Sequence, residues 1–388
     1  MSGRPTRMLI SRRDLLRRLG RGAVVSAAFP WVHEAAWAGT TPVSSAEPDP
    51  IRLDSNENAY GPSERAKAAM RESLGVPDRG REAGHALTAE IAALHRVRPE
   101  QVVLGCGSVG IMRTAAATFL GPRRKLVLAS PTFDPIAEYA RSVGADVVTV
   151  PLTAQYAHDL DAMLAHLDAA GGLVYICNPN NPTGTLTPRH ELETFIRRLP
   201  STARVLIDEA YHHYAGTSSA YASFIDRPVD DRRVIVTRSL SKVHGLSGLR
   251  LGYAIAAPEA ARRLRAAEPP MDVGAGALRG ATEALHDRGH VRLSVQRNAN
   301  DRQEFYNQAN ARMLRVIDSH ANFVMLNTGG PAEQAIVLSR ASNIVLPPPI
   351  PSMPKHIRVS LRTPPEMLAF WRVWELMPRS PGLSTRSP

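Results

Sequence analysis

Cysteine is nearly absent from the 388 residues. Cys106 and Cys177 stand alone, with no CxxC pair and no Cys/His spacing, so neither a disulfide framework nor a zinc site is indicated. Long apolar runs are missing too: the best of them, residues 22–32, is about half of the ~20 residues that a spanning helix needs. No stable membrane insertion is therefore expected. No internal repeat is present.

What remains is an ordinary globular composition, 44% hydrophobic and 21% charged. The length exceeds the usual ~100–200 residues per domain, which suggests a large domain with a smaller companion. Lys and Arg number 47 against 36 acids, a formal +11 that raises nucleic acid as a partner. The position of the charge argues otherwise. Residues 1–38 hold seven arginines against Asp14 and Glu34, so +5 of the excess belongs to the first tenth of the chain.

That first tenth has its own order. Arg12-Arg13 with Leu15 and Leu16 precedes a short apolar stretch and then Ala36-Trp37-Ala38, a small-residue cleavage pattern before Gly39. Basic, apolar and small-residue regions in this order read as an export signal, and the arginine pair is of the twin-arginine type that carries folded proteins. The expected location is periplasmic or secreted. The alternative is a cytoplasmic protein that keeps a basic amphipathic helix.

Beyond a Pro-rich arm, β-branched runs alternate with helical patterns. Val102–Leu104, Lys125–Ala129, Asp146–Val150, Leu173–Cys177, Arg204–Ile207, Val234–Thr237 and Leu251–Ile255 read as strands, mostly apolar on both faces as helix-covered strands are. Helix patterns such as Ile111–Leu120, Pro135–Val143, Leu160–Leu167 and Pro188–Leu199 fall between them. The expectation is an α/β fold with a mostly parallel seven-stranded sheet. After about Glu268, helices (Gly274–His286, Val291–Leu314), strands near Phe323–Leu326 and Ile357–Leu361 and a last helix near Pro364–Leu376 suggest a smaller α+β domain. The expected divisions are a signal over 1–38, an arm over 39–60, a large domain over 61–267, a small domain over 268–376 and a tail over 377–388.

Four segments carry chemistry. Asn178–Thr185 (NPNNPTGT) follows a strand as a rigid loop, at the strand end where α/β sheets bind ligands. Val205–Tyr211 (VLIDEAY) ends a buried strand in a carboxylate; Asp208 there is either a cap or structural ion pair, or faces a cation, because an unpaired buried charge is costly. Ser239–Tyr253 (SLSKVHGLSGLRLGY) puts Lys242 in a Ser/Gly-rich turn with Arg250 eight positions on, which suits a Schiff-base lysine beside a phosphate site. Leu104–Val109 (LGCGSV) runs from a strand through a glycine turn into a helix whose first amides could bind phosphate. This last segment is neither a Walker loop nor a dinucleotide fingerprint.

Together these segments resemble the fold-type-I pyridoxal-phosphate enzymes, the class I/II aminotransferases, and within them the histidinol-phosphate aminotransferase group. Leu53–Pro62 (LDSNENAYGP), Ala321-Asn322-Phe323 and Ile357–Ser360 (IRVS) support that subgroup, and the likeness runs from Ile51 to Leu376. The resemblance implies pyridoxal 5'-phosphate as cofactor, bonded to Lys242. It implies Asp208 at the pyridine nitrogen, Asn181 and Tyr211 at the phenolic oxygen, and Phe133 stacked on the ring. Gly107, Ser108, Ser239, Ser241 and Arg250 would hold the phosphate. Arg358 would take the substrate α-carboxylate, with Tyr60 and Asn181 also against substrate, and Lys242, Asp208 and Tyr211 would be catalytic. The expected reaction moves an amino group from an amino acid to a 2-oxo acid, in a homodimer. A decarboxylase or oxidase of the same fold, or a non-catalytic binding protein, is the rival.

Three departures from the subgroup stand out. Asn343–Pro354 (NIVLPPPIPSMP) lacks the arginine that pairs with a substrate phosphate, which favours a neutral or apolar side chain. No tyrosine lies between Tyr60 and Tyr139 to reach a neighbouring subunit, leaving Arg79, Arg81 or His85 as substitutes. The acidic pair after the glycine turn is replaced by Val109-Gly110.

Overall fold

The computed structural model describes residues 49–75, 80–226, 231–267 and 273–377; the expected signal, Arg79 and the tail beyond 377 lie outside them. In chain order its strands are β1 (Ile51–Arg52), β2 (Val102–Cys106), β3 (Lys125–Ser130), β4 (Asp146–Pro151), β5 (Gly172–Cys177), β6 (Ala203–Asp208), β7 (Val234–Ser239), β8 (Leu251–Ala256), β9 (Val316–Ile317), β10 (Phe323–Asn327), β11 (Ile344–Val345) and β12 (His356–Ser360). Seven of these form one sheet in the order β2-β8-β7-β6-β5-β3-β4. β3, β4, β5, β6 and β7 run parallel to one another, while β8 is antiparallel to both β2 and β7. The mostly parallel sheet expected from two-faced apolar strands is thus present.

Direction explains why distant motifs meet. β5, β6 and β7 are parallel, so their carboxyl ends share one edge of the sheet, and β2, related to β7 through the antiparallel β8, ends there too. Residues 178–185, 208–211, 239–250 and 107–109 leave from that edge. Register then sets Cys177 beside Asp208 and Asp208 beside Thr237.

Apolar clusters cover both sheet faces. One gathers Val174, Ile176, Val205 and Ile207, the other Leu173, Tyr175, Leu206 and Phe119. Alternation along β5 and β6 sends neighbouring residues to opposite clusters, as strand geometry requires. Leu278, Ala281 and Leu285 of the helix Ala275–His286 belong to the first cluster, with Ala66, Leu87 and Ile91 of two preceding helices. That helix therefore packs with the sheet, although its sequence lies beyond the expected boundary at 268.

The reverse holds for the arm. β1 pairs in parallel with β11, and Leu53 is buried among Phe305, Val359, Phe370 and Trp371 of the C-terminal elements. Two-residue strands such as β1, β9 and β11 carry too little pattern to read from sequence. Trp371 and Trp374, three positions apart on the last helix, pack in this same cluster. Among the described residues no helix is long and apolar enough to cross a membrane.

Candidate active site

The shared sheet edge opens into a cavity of about 430 Å3. Ser108, Phe133, Asn181, Asp208, Tyr211, Ser239, Ser241, Lys242, Arg250 and Arg358 line it, ten of the residues expected from sequence.

One corner is built around a glycine. Gly107 begins the helix Gly107–Phe119 at φ +69°, a conformation that a side chain disfavours, and a Cβ there would lie 2.7 Å from Arg250 Nη2. The guanidinium thus approaches the first turn of the helix only because the side chain is missing. Arg250 itself has φ +54° and donates from Nη1 to the Ser247 carbonyl at 3.1 Å. With the Ser108, Ser239 and Ser241 hydroxyls on the same wall, the corner offers a cation, hydroxyls and helix-start amides to an anion.

Asp208 is 2% exposed and has no ion pair among the described residues, contrary to the cationic protein partner that burial led us to consider. Its Oδ2 accepts from the Tyr175 hydroxyl at 3.0 Å and its Oδ1 from the Ala210 amide at 3.1 Å. Burial pushes the carboxyl up to about 6, while the two hydrogen bonds and the Lys242 charge hold it down. The adjacent Glu209 is neutralised instead by Arg238, at 2.9 Å, on the far side of the strand. A carboxylate so placed suits a cationic ligand atom arriving through the cavity.

Lys242 Nζ donates to the carbonyls of Asn56 (3.1 Å) and Ser55 (3.3 Å). Burial, and then the Arg358 charge, push its ammonium down to about 8, so about a tenth is the free amine at pH 7 and about half at pH 8. Arg358 donates from Nη1 to Asn181 Oδ1 at 2.7 Å and from Nη2 to the Asp54 carbonyl, and stands over the Phe323 ring at 5.6 Å. Among the described residues its buried Nε has no partner.

Three of the residues considered from sequence stand apart. Tyr60 is not on this wall: its hydroxyl donates to Asp301 at 2.9 Å and Arg297 covers its ring at 4.5 Å, because the chain turns away after Asn58. Arg81 and His85 lie on the helix Gly80–His95 and are also absent from the wall. His212 and His213 are half-buried, pushed well down by desolvation, and no metal-ligand group occurs among the described residues.

Sequence reasoning missed Tyr175, whose hydroxyl serves Asp208 from the neighbouring strand, and the wall residues Asp54, Ser55, Asn56, Glu57, Cys177 and Ser247. Asn56 and Glu57 stood in plain view within the LDSNENAYGP run. Nothing local told which of its polar side chains turn inward.

A carboxylate awaiting a cation, a buried amine and an anion corner around one cavity define a site for a phosphorylated, basic, carbonyl-bearing ligand. Residues 48–370 match the family described as aminotransferase class I and II, and the chain belongs to that family. It is a pyridoxal-phosphate-dependent enzyme that transfers amino groups, and the donor set above fits that cofactor. Histidinol-phosphate aminotransferase of Caldicellulosiruptor saccharolyticus is 34% identical over 80% of this chain and 87% of its own length. Histidinol-phosphate aminotransferase 2 of Methylococcus capsulatus is 35% identical over 83% and 88%. A solved structure from Erwinia carotovora atroseptica superposes with a TM-score of 0.80 at 26% identity, over 84% of this chain and 96% of that one. The Sinorhizobium meliloti histidinol-phosphate aminotransferase, solved with pyridoxal-5'-phosphate, has the same fold, with a TM-score of 0.77 at 23% identity over 89% and 100%.

Proposed function

We propose that this aminotransferase exchanges an amino group between an amino acid and a 2-oxo acid whose side chains carry no phosphate, as a homodimer exported by a twin-arginine-type route. The observation carrying the substrate reading is an inventory of cations. Among the described residues the cavity wall holds three, Lys242, Arg250 and Arg358. Each has a use: bonding the cofactor, holding its phosphate, and gripping the α-carboxylate. No fourth is left for a substrate phosphate, and Asn343–Pro354 supplies none. Arg12-Arg13 and Ala36-Trp37-Ala38 support the export reading.

Pyridoxal phosphate, when bound, supplies a carbonyl to carry the amino group and an electron-withdrawing ring. Asp208 would keep its ring nitrogen protonated, Asn181 and Tyr211 would hold its phenolic oxygen, and Phe133 would cover the ring. Ser108, Ser239, Ser241, Arg250 and the Gly107 turn would retain the phosphate. Arg358 orients the substrate by a two-point grip on its carboxylate, as a planar guanidinium can. Lys242, with an amine pushed down to about 8, takes the Cα proton and returns it, serving as base and then acid.

The test is a donor panel: purified holoenzyme is given histidinol phosphate and unphosphorylated amino acids, and 2-oxo acid and new amino acid are measured. At least one unphosphorylated donor should exceed histidinol phosphate in kcat/KM. Preference for histidinol phosphate over every other donor would overturn the substrate reading. Export is checked by fractionation, with Arg12→Lys/Arg13→Lys expected to retain the protein in the cytoplasm, and the dimer by light scattering.

A further inference from the structure

Asn56 is 2% exposed and adopts φ +52°, the left-handed region that few residues other than glycine occupy. Each of its polar groups is engaged. Its carbonyl accepts from Lys242 Nζ (3.1 Å) and Asn322 Nδ2 (3.0 Å). Its amide N–H donates to Ser360 Oγ (2.8 Å), and Ser360 Oγ donates back to Asn56 Oδ1 (2.8 Å), closing a small ring of hydrogen bonds. What remains, Nδ2, faces the Tyr211 hydroxyl at 3.2 Å.

This ring fixes the orientation of an amide that could otherwise turn. If the Asn56 amide were reversed, Ser360 Oγ would receive two donors, and its own proton, on a residue with 0% exposure, would lose its acceptor. Leaving a buried hydroxyl proton unmatched costs about 1–3 kcal/mol. The observed orientation presents to Tyr211 a nitrogen that can only donate. The Tyr211 oxygen must therefore accept, and its phenolic proton is left over. Tyr211 lines the cavity.

We infer that Asn56 and Ser360 are positioning residues that set the direction of the hydrogen bond at Tyr211, reserving the Tyr211 proton for an acceptor inside the cavity. The inference rests on pyridoxal phosphate binding there with its phenolic oxygen toward Tyr211. Asn56 and Ser360 touch no substrate in this role. They act through Tyr211, and the left-handed backbone at Asn56 is the means by which one residue reaches Ser360, Tyr211 and Lys242 together.

The test reads the pH midpoint of the visible absorption change of the bound cofactor, not turnover. A proton donated to the phenolic oxygen stabilises the high-pH form, in which that oxygen is most negative, so losing the donation moves the midpoint upward. Ser360→Ala frees the amide to turn without adding charge, and should raise the midpoint by about half a pH unit or more, roughly threefold in proton affinity. Asn56→Asp offers Tyr211 an acceptor in place of a donor and should raise it by about one unit. Tyr211→Phe should also raise it, and in that background Ser360→Ala should add nothing, the non-additivity expected of residues acting through one group. Ser360→Thr, which keeps the hydroxyl, should restore the wild-type midpoint. An unchanged midpoint in Ser360→Ala, or a full additional shift on top of Tyr211→Phe, would overturn the inference. A wild-type protein that takes up no pyridoxal phosphate would sink the cofactor reading beneath it instead.

Discussion

Asp208 is placed for function at the expense of stability, and the size of that conflict can be worked out. Its carboxyl is pushed from 3.8 to about 6 by burial. At about 1.36 kcal/mol per pH unit, ionising it in the cofactor-free fold costs about 3 kcal/mol. The folded value lies above the unfolded one, so the penalty is absent below pH 3.8, grows between 3.8 and 6, and is complete above 6. Asp208→Asn removes the charge while keeping one acceptor for the two donors, Tyr175 and the Ala210 amide. Losing the other acceptor costs about 1 kcal/mol. The cofactor-free variant should therefore be less stable than wild type by about 0.5 kcal/mol at pH 4 and more stable by about 2 kcal/mol at pH 8, with the crossover near pH 4.5. Urea denaturation of both proteins across this range measures the difference, and the titrations of the buried histidines cancel within it. Adding pyridoxal phosphate at pH 8 should reverse the order, because wild type gains the larger linkage term from tighter binding. A stability difference that did not change with pH, or a wild-type advantage in the cofactor-free proteins at pH 8, would refute the reasoning.

Three other outcomes follow from the same geometry. Gly107→Ala forces a side chain into a left-handed position and to 2.7 Å from Arg250, so the dissociation constant for pyridoxal phosphate should rise on the order of tenfold or more, read by fluorescence titration. Arg358→Lys loses the planar fork held by Asn181 and the Asp54 carbonyl; KM for amino acids should rise on the order of 10- to 100-fold while the cofactor's absorption spectrum persists. His158 and His244 are held down to about 4 by burial, below their ordinary 6.5, so their contribution to stability is whole above pH 6.5 and is lost as pH falls toward 4. Unfolding at pH 5 should take up more than one proton, measurable as the pH dependence of the urea midpoint.

The amino-acid sequence by itself determined the chemistry of the site. Lysine in a Ser/Gly turn, an Asp closing an apolar strand, a proline-bounded asparagine loop and a glycine turn into a helix are local statements, legible because each motif is short and each strand is apolar on both faces. The parallel sheet followed from the same runs, since two-faced apolar strands need helices on both sides.

Only the tertiary structure decided which groups answer one another. Asp208 turned out to lean on Tyr175, a strand away, rather than on a protein cation, because pairing register brings β5 alongside β6. β1 was illegible at two residues, yet its partner β11 lies almost three hundred residues on and seats the following segment on the cavity wall. Tyr60, four residues past Asn56, was carried away to Asp301, while Asn56 was turned by a left-handed backbone toward Tyr211, Ser360 and Lys242. A single residue's φ, and contacts about three hundred positions apart in sequence, are settled by packing, and no local pattern encodes them.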